Sequence, residues 1–180
     1  DITTEYYIND AGAQMDLLGL SVSLAARDCI FKEDVVYPET YYRGEYLIDI
    51  ANIVIEKFGK DIIYNESRFK EIAFFSKDLV MDIIIKDLKD LGITFDNFVS
   101  EKSLYPSWDS TKKVLQENGS LYEKSDKIYL KSTQYGDDSD RVVVRDNGIP
   151  TYLAGDIIYH KNKYDRKYDR YINIWGADHH

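Results

Sequence analysis

Tyr152 and Asp156 stand four residues apart in the run Thr151-Tyr152-Leu153-Ala154-Gly155-Asp156-Ile157-Ile158-Tyr159-His160, and they offer the most specific chemistry in this sequence. On a helix they share a face one turn apart, and the backbone dipole favours an ionised carboxylate so close to a helix start. A ring beside a carboxylate suits a cation. A guanidinium suits it best, because its planar fork pairs with a carboxylate and stacks on a ring, so the set selects arginine over lysine by geometry. Glu101 follows the alternating run Thr94–Ser100 and stands where an α/β sheet opens to ligands, so it adds a second carboxylate to the candidate set. The same residues also read as an ordinary early-helix acid and a core-filling tyrosine. Gly155 counts against that plainer reading, since glycine inside a helix costs about 1 kcal/mol and often marks the close approach of another group.

The three histidines, His160, His179 and His180, gather in the same region with Asp178 between them. A zinc-dependent hydrolase is one reading of that cluster. The spacing fits no metal motif well, because adjacent histidines on a strand or loop point different ways, and no metal ligand is assigned.

The elements that must hold these residues follow from periodicity. Glu5–Asn9 reads as a strand, and Asp10 as the cap of a helix with Met15, Leu18, Val22, Ala25 and Cys29 along one apolar stripe. That stripe predicts a buried, inert Cys29 thiol. The junction Asn9-Asp10-Ala11-Gly12-Ala13-Gln14 suits a ligand's polar groups, but it suits plain capping as well. A helix from about Thr40 to Phe58 carries Leu47, Ile50, Ala51, Val54 and Phe58 and stops at Gly59. A longer one places Phe69, Ala73, Val80, Ile84, Leu88 and Leu91 on one side up to Gly92. Next come a short helix over 109–118 and a hairpin of Leu121–Glu123 with Ile128–Leu130 that turns at Ser125-Asp126. Arg141–Arg145 is a strand by its β-branched run, and Asp146-Asn147-Gly148 turns a second hairpin. The Tyr152–Asp156 helix runs over 151–163, and Ile172–Trp175 reads as a final strand leading into Gly176-Ala177-Asp178-His179-His180.

Composition sets the limits. The chain has 180 residues, 44% of them hydrophobic and 31% charged, which places it among folded globular proteins. It has no apolar stretch long enough for a membrane span and no leader-like start, and it reads as cytosolic. One cysteine excludes an internal disulfide. A formal charge of −9 argues against a phosphate-neutralising surface on this segment. Both ends read as internal to a longer protein.

Five motifs in order carry a family resemblance: Tyr7-x-Asn9-Asp10-x-Gly12-x-Gln14; Tyr42-Arg43-Gly44-Glu45-Tyr46; Asp140-Arg141-Val142-Val143-Val144-Arg145; Thr151-Tyr152-x-x-x-Asp156-Ile157-x-Tyr159-His160; and Gly176-Ala177-Asp178-His179-His180. Nearly end to end, the sequence resembles arginyl-tRNA synthetase. The resemblance implies an internal piece of a class I catalytic domain, an α/β fold with a partial Rossmann-type parallel sheet interrupted by a helical insertion and a small α+β insertion. Residues 1–28 and 140–180 would be the first and second parts of the core, 29–93 the helical insertion, 94–105 a core strand and 106–139 the small insertion.

The implied activity joins arginine to tRNA through arginyl-adenylate, with ATP as substrate, magnesium expected and a monomeric, cytoplasmic full-length enzyme. Position by position, Tyr152 and Asp156 match arginine-binding residues, and Glu101 a further arginine contact. Gly176, Asp178 and His179 match the loop beside the ATP ribose and adenine; Ala177 stands near a position where some members have a glutamine. No residue here is implied as a catalytic nucleophile or base. The family's histidine–glycine motif and lysine-containing loop do not occur, so the piece alone is expected to be inactive. A non-catalytic arginine-binding or interaction module is the remaining alternative.

Overall fold

Parallel strands cannot be joined by a tight turn, so the first pairing in this chain demands a long crossover. In the computed structural model, which describes residues 1–176, strand β1 (Glu5–Ile8) lies parallel to β2 (Asn97–Ser100), with Tyr6 opposite Phe98 and Ile8 opposite Ser100. The crossover is helical: α1 (Ala13–Ala25), α2 (Tyr46–Phe58) and α3 (Phe69–Asp90). These elements form the first of two compact units, Asp1–Ser100. Strand β2 is shorter than the alternation suggests because Asp96 is held otherwise. The Thr4 amide and hydroxyl donate to its Oδ2 at 2.7 and 2.9 Å, and those bonds keep its carboxyl below the usual carboxylate range.

The helical stripes meet where their spacing implies. Met15, Leu18 and Val22 of α1, Leu47, Ile50, Ala51 and Val54 of α2, and Ile72 and Ala73 of α3 share one buried cluster. Ile62 and Ile63 join it from a short 3-10 turn after Gly59, a segment with no helical period of its own. Gly19 lets α1 and α3 touch: a Cβ there would lie 2.3 Å from the backbone oxygen of Phe69.

Four expectations for this unit are corrected. Helix α2 starts at Tyr46 rather than near Thr40, because Gly44 at φ 140° cannot continue a helix backwards. Asp10 does not cap α1; Gly12 occupies the cap position, and Asp10 is buried, accepting a bond from the Ser100 hydroxyl at 2.6 Å. Cys29 is half-exposed, because α1 runs on into a π-helical turn, Ala26–Ile30, whose wider winding carries Cys29 off the stripe. Leu91 lies beyond the last turn of α3 and is 75% exposed.

The second unit, Glu101–His180, opens with α4 (Glu101–Leu104), a 3-10 turn over Tyr105–Ser107, and α5 (Trp108–Glu117). Strands β3 (Leu121–Lys124), β4 (Lys127–Leu130) and β5 (Arg141–Val144) form an antiparallel sheet in that order. Ser125 and Asp126 both take positive φ, 51° and 59°, as a two-residue hairpin turn requires. The second hairpin turns at Gly148 (φ 76°), but its returning arm is a single bridge from Val144 to Pro150, since proline has no N–H for a ladder. Helix α6 (Tyr152–Asp165) follows.

The final strand expected over Ile172–Trp175 is absent. Alternating apolar residues form a strand only where a neighbour takes up their backbone groups. No ladder reaches this segment among the described residues, and Ile174 is 93% exposed. The described residues therefore combine helices with a small parallel sheet and a separate antiparallel one.

Candidate functional site

Helix α6 begins where the sheet ends. Thr151 keeps an extended backbone, and its hydroxyl donates to the Val142 carbonyl at 2.8 Å, fixing the start of α6 against β5. From there Ala154, Gly155 and Ile158 are buried, while Tyr152 and Asp156 are exposed one turn apart.

Glu101, the first residue of α4, is a carboxylate at 3% exposure. One turn later the Tyr105 hydroxyl donates to its Oε1 at 2.9 Å. Helix α6 meets this pair at Gly155: a Cβ there would lie 3.1 Å from Glu101 Oε1 and 3.4 Å from the Tyr105 hydroxyl. The missing side chain lets the carboxylate lie against the helix, which is the close approach that a mid-helix glycine suggests. Burial pushes the Tyr105 phenol well above its ordinary range, and the hydrogen bond to Glu101 and the charges of Glu101 and Asp156 push it further. Tyr105 therefore stays protonated at neutral pH and is the donor of this bond. Its only signal in the sequence is its place four residues after Glu101, one helical turn on.

Asp156, whose charge acts on the Tyr105 phenol, also lines an open groove of about 510 Å³. Thr111, Val114 and Leu115 of α5 form one wall; Leu153, Ile157, His160, Lys161 and Tyr164 of α6 form the other, with Trp175 beside them. Of the three candidate arginine contacts, Asp156 alone lines this groove; Glu101 lies against α6 at Gly155, and Tyr152 is exposed and near enough to Tyr105 to act on its phenol. The His160 imidazole is held below its ordinary value by burial and then by the Lys163 ammonium, with Asp156 opposing.

Gly176 is exposed, with no atom within 4 Å of the place a Cβ would take, while Asp178 and His179 fall outside the described residues, as does His180. Among the described residues no group of three His, Cys, Asp or Glu side chains is arranged to hold a metal ion. In the first unit, Gln14 donates to the Asn9 carbonyl at 3.2 Å, Asp10 lies 3.9 Å from the Lys77 ammonium, and Asn9, Gln14 and Lys77 line a pocket of about 220 Å³. No described helix is long and apolar enough to cross a membrane.

Relatives exist along the whole chain. An arginine–tRNA ligase of Aliarcobacter butzleri is 80% identical across 100% of this chain, which corresponds to 34% of that protein. One from Campylobacter curvus is 60% identical over 99% of the chain, again 34% of the relative. The chain thus spans about a third of the length of the curated relatives it matches. Among solved structures, an arginyl-tRNA synthetase from Campylobacter jejuni superposes with a TM-score of 0.92 at 47% identity, over 99% of this chain and 39% of that one. The Plasmodium falciparum arginyl-tRNA synthetase gives a TM-score of 0.57 at 14% identity over 89% of this chain and 27% of that one, a likeness of fold alone. No family model matches the chain.

Proposed function

From a chain that belongs to the arginyl-tRNA synthetase family, as a segment about a third of its relatives' length, we infer that α4 and α6 recognise the arginine side chain for ATP-dependent charging of tRNA. The observation that carries this reading is the meeting of Glu101, Tyr105 and Gly155, with Tyr152 and Asp156 on the same helix as that glycine. A planar cation pairs with a carboxylate and stacks on a ring, and in this reading Asp156 and Tyr152 supply these at the exposed side of α6, with Glu101 buried against Gly155 as a second carboxylate. The loop at Gly176, Asp178 and His179 contacts the ribose and adenine of ATP in this reading.

The reaction asks little covalent chemistry of this segment. The carboxylate of arginine attacks the α-phosphorus of ATP, the bond to the bridging oxygen breaks, and pyrophosphate leaves. A ribose hydroxyl of the tRNA then displaces AMP from the arginyl carbonyl. The residues here hold and orient the amino acid, which is a rate effect in itself, since positioning replaces a bimolecular encounter. Magnesium, as the nucleotide's companion ion, would be held mainly by the phosphates and would neutralise their charge. We also propose that the two parallel strands belong to a Rossmann-type sheet completed elsewhere in the enzyme. Residues 1–28, 94–105 and 140–180 are its core pieces; 29–93 and 106–139 are insertions into it. The full enzyme acts as a cytoplasmic monomer.

ATP–pyrophosphate exchange tests the proposal. A full-length synthetase carrying this segment should exchange pyrophosphate in the presence of arginine and not of lysine, and the isolated 180 residues should give none. Exchange by the isolated chain, or equal exchange with lysine, would contradict it.

A further inference from the structure

We infer that Tyr105 is a positioning residue for arginine selection: its hydroxyl fixes the plane of the Glu101 carboxylate in the space that Gly155 leaves open. The inference rests on the proposed role of Glu101 and adds to it the group that sets how that carboxylate is presented.

Glutamate is a poor fixed ligand by itself, because three torsions let its carboxylate wander. Glu101 is nevertheless buried, and one of its oxygens accepts a hydrogen bond in a tight space. The Tyr105 hydroxyl donates to Oε1 at 2.9 Å, and the same oxygen lies against the backbone of α6 at Gly155. Tyr105 is well suited to the task. Its ring has only two torsions, it sits one turn from Glu101 on the same stretch of chain, and its phenol remains a donor at neutral pH. A guanidinium fork requires a carboxylate in a defined plane, whereas a lysine ammonium accepts many orientations. Loss of the hydroxyl would leave the charge of Glu101 in place and remove one restraint on its plane, so the harm falls on arginine more than on ATP. Gly155 belongs to the same device, since a methyl at 3.1 Å from Oε1 forces the carboxylate to shift by a few tenths of an ångström.

The test uses a full-length synthetase carrying this segment, assayed by ATP–pyrophosphate exchange, with Tyr105→Phe, Glu101→Gln and the double variant. Tyr105→Phe should raise the KM for arginine about tenfold or more, the worth of a hydrogen bond to a charged group. The KM for ATP should stay as it was, and in the Glu101→Gln background the added change should have no further effect on the KM for arginine. Gly155→Ala should also raise the arginine KM without changing that for ATP. If Glu101→Gln impairs arginine use while Tyr105→Phe is silent, the positioning role falls and the arginine site stands. If Glu101→Gln is itself silent, the role of Glu101 falls and the inference with it. Equal rises in both KM values with a lowered melting temperature would mark Tyr105 as merely structural and overturn the inference.

Discussion

Replacing Asp156 by asparagine in a full-length synthetase carrying this segment should lower kcat/KM for arginine by roughly 30-fold to a few thousand-fold, equivalent to about 2–5 kcal/mol of transition-state stabilisation. The two side chains are nearly the same size, so the change removes charge and leaves shape. The magnitude depends on desolvation. In this chain Asp156 is exposed, and an ion pair left in water is worth at most about 1 kcal/mol. The larger loss follows only if the bound substrate and surrounding protein exclude water from the pair. Steady-state kinetics with arginine varied at saturating ATP checks it. A loss under about fivefold would mean that the carboxylate stays solvated and contributes little.

The second large effect is structural. Gly19→Val should destabilise the first unit by about 3 kcal/mol or more, at the upper end of overpacking costs. A Cβ at that position overlaps the backbone oxygen of Phe69 at 2.3 Å, and a carbonyl inside a helix has no rotamer to escape into. Helices α1 and α3 would have to part, opening the cluster around Val22, Ile50 and Ile72. Chemical denaturation measures this as a lower midpoint at unchanged slope. An unchanged midpoint would mean that the two helices approach less closely than described.

Much of the first unit was legible because burial there follows helical period. Met15, Leu18, Val22, Leu47, Ile50, Ala51 and Val54 are spaced for one face and lie in one core. Turns were legible where the backbone demands special residues, as at Ser125-Asp126 and Gly148. What failed was decided by distant partners. Asp10 looks like a helix cap, but Ser100, 90 residues away, takes its carboxylate. The run Ile172–Trp175 alternates like a strand, but alternation carries no information about whether a neighbouring strand exists. Cys29 fell off its stripe through a single π-helical turn, which no periodicity announces.

In the candidate site, Tyr152, Gly155 and Asp156 could be singled out because their spacing and an unusual mid-helix glycine are local features. That Glu101 packs against Gly155 could not be read from either segment. The contact joins residues more than fifty positions apart, and only the folded chain makes Tyr105 meaningful as the donor between them.

The central claim is that Tyr152, Asp156 and Glu101 hold the side chain of arginine. A crystal structure of a full-length synthetase carrying this segment with arginine bound tests it most directly. The guanidinium should lie at charge-assisted hydrogen-bond distance, about 2.7–2.9 Å, from the carboxylates of both Asp156 and Glu101, with Tyr152 in contact with it. Arginine bound with its side chain away from α6, touching none of the three, would contradict the account.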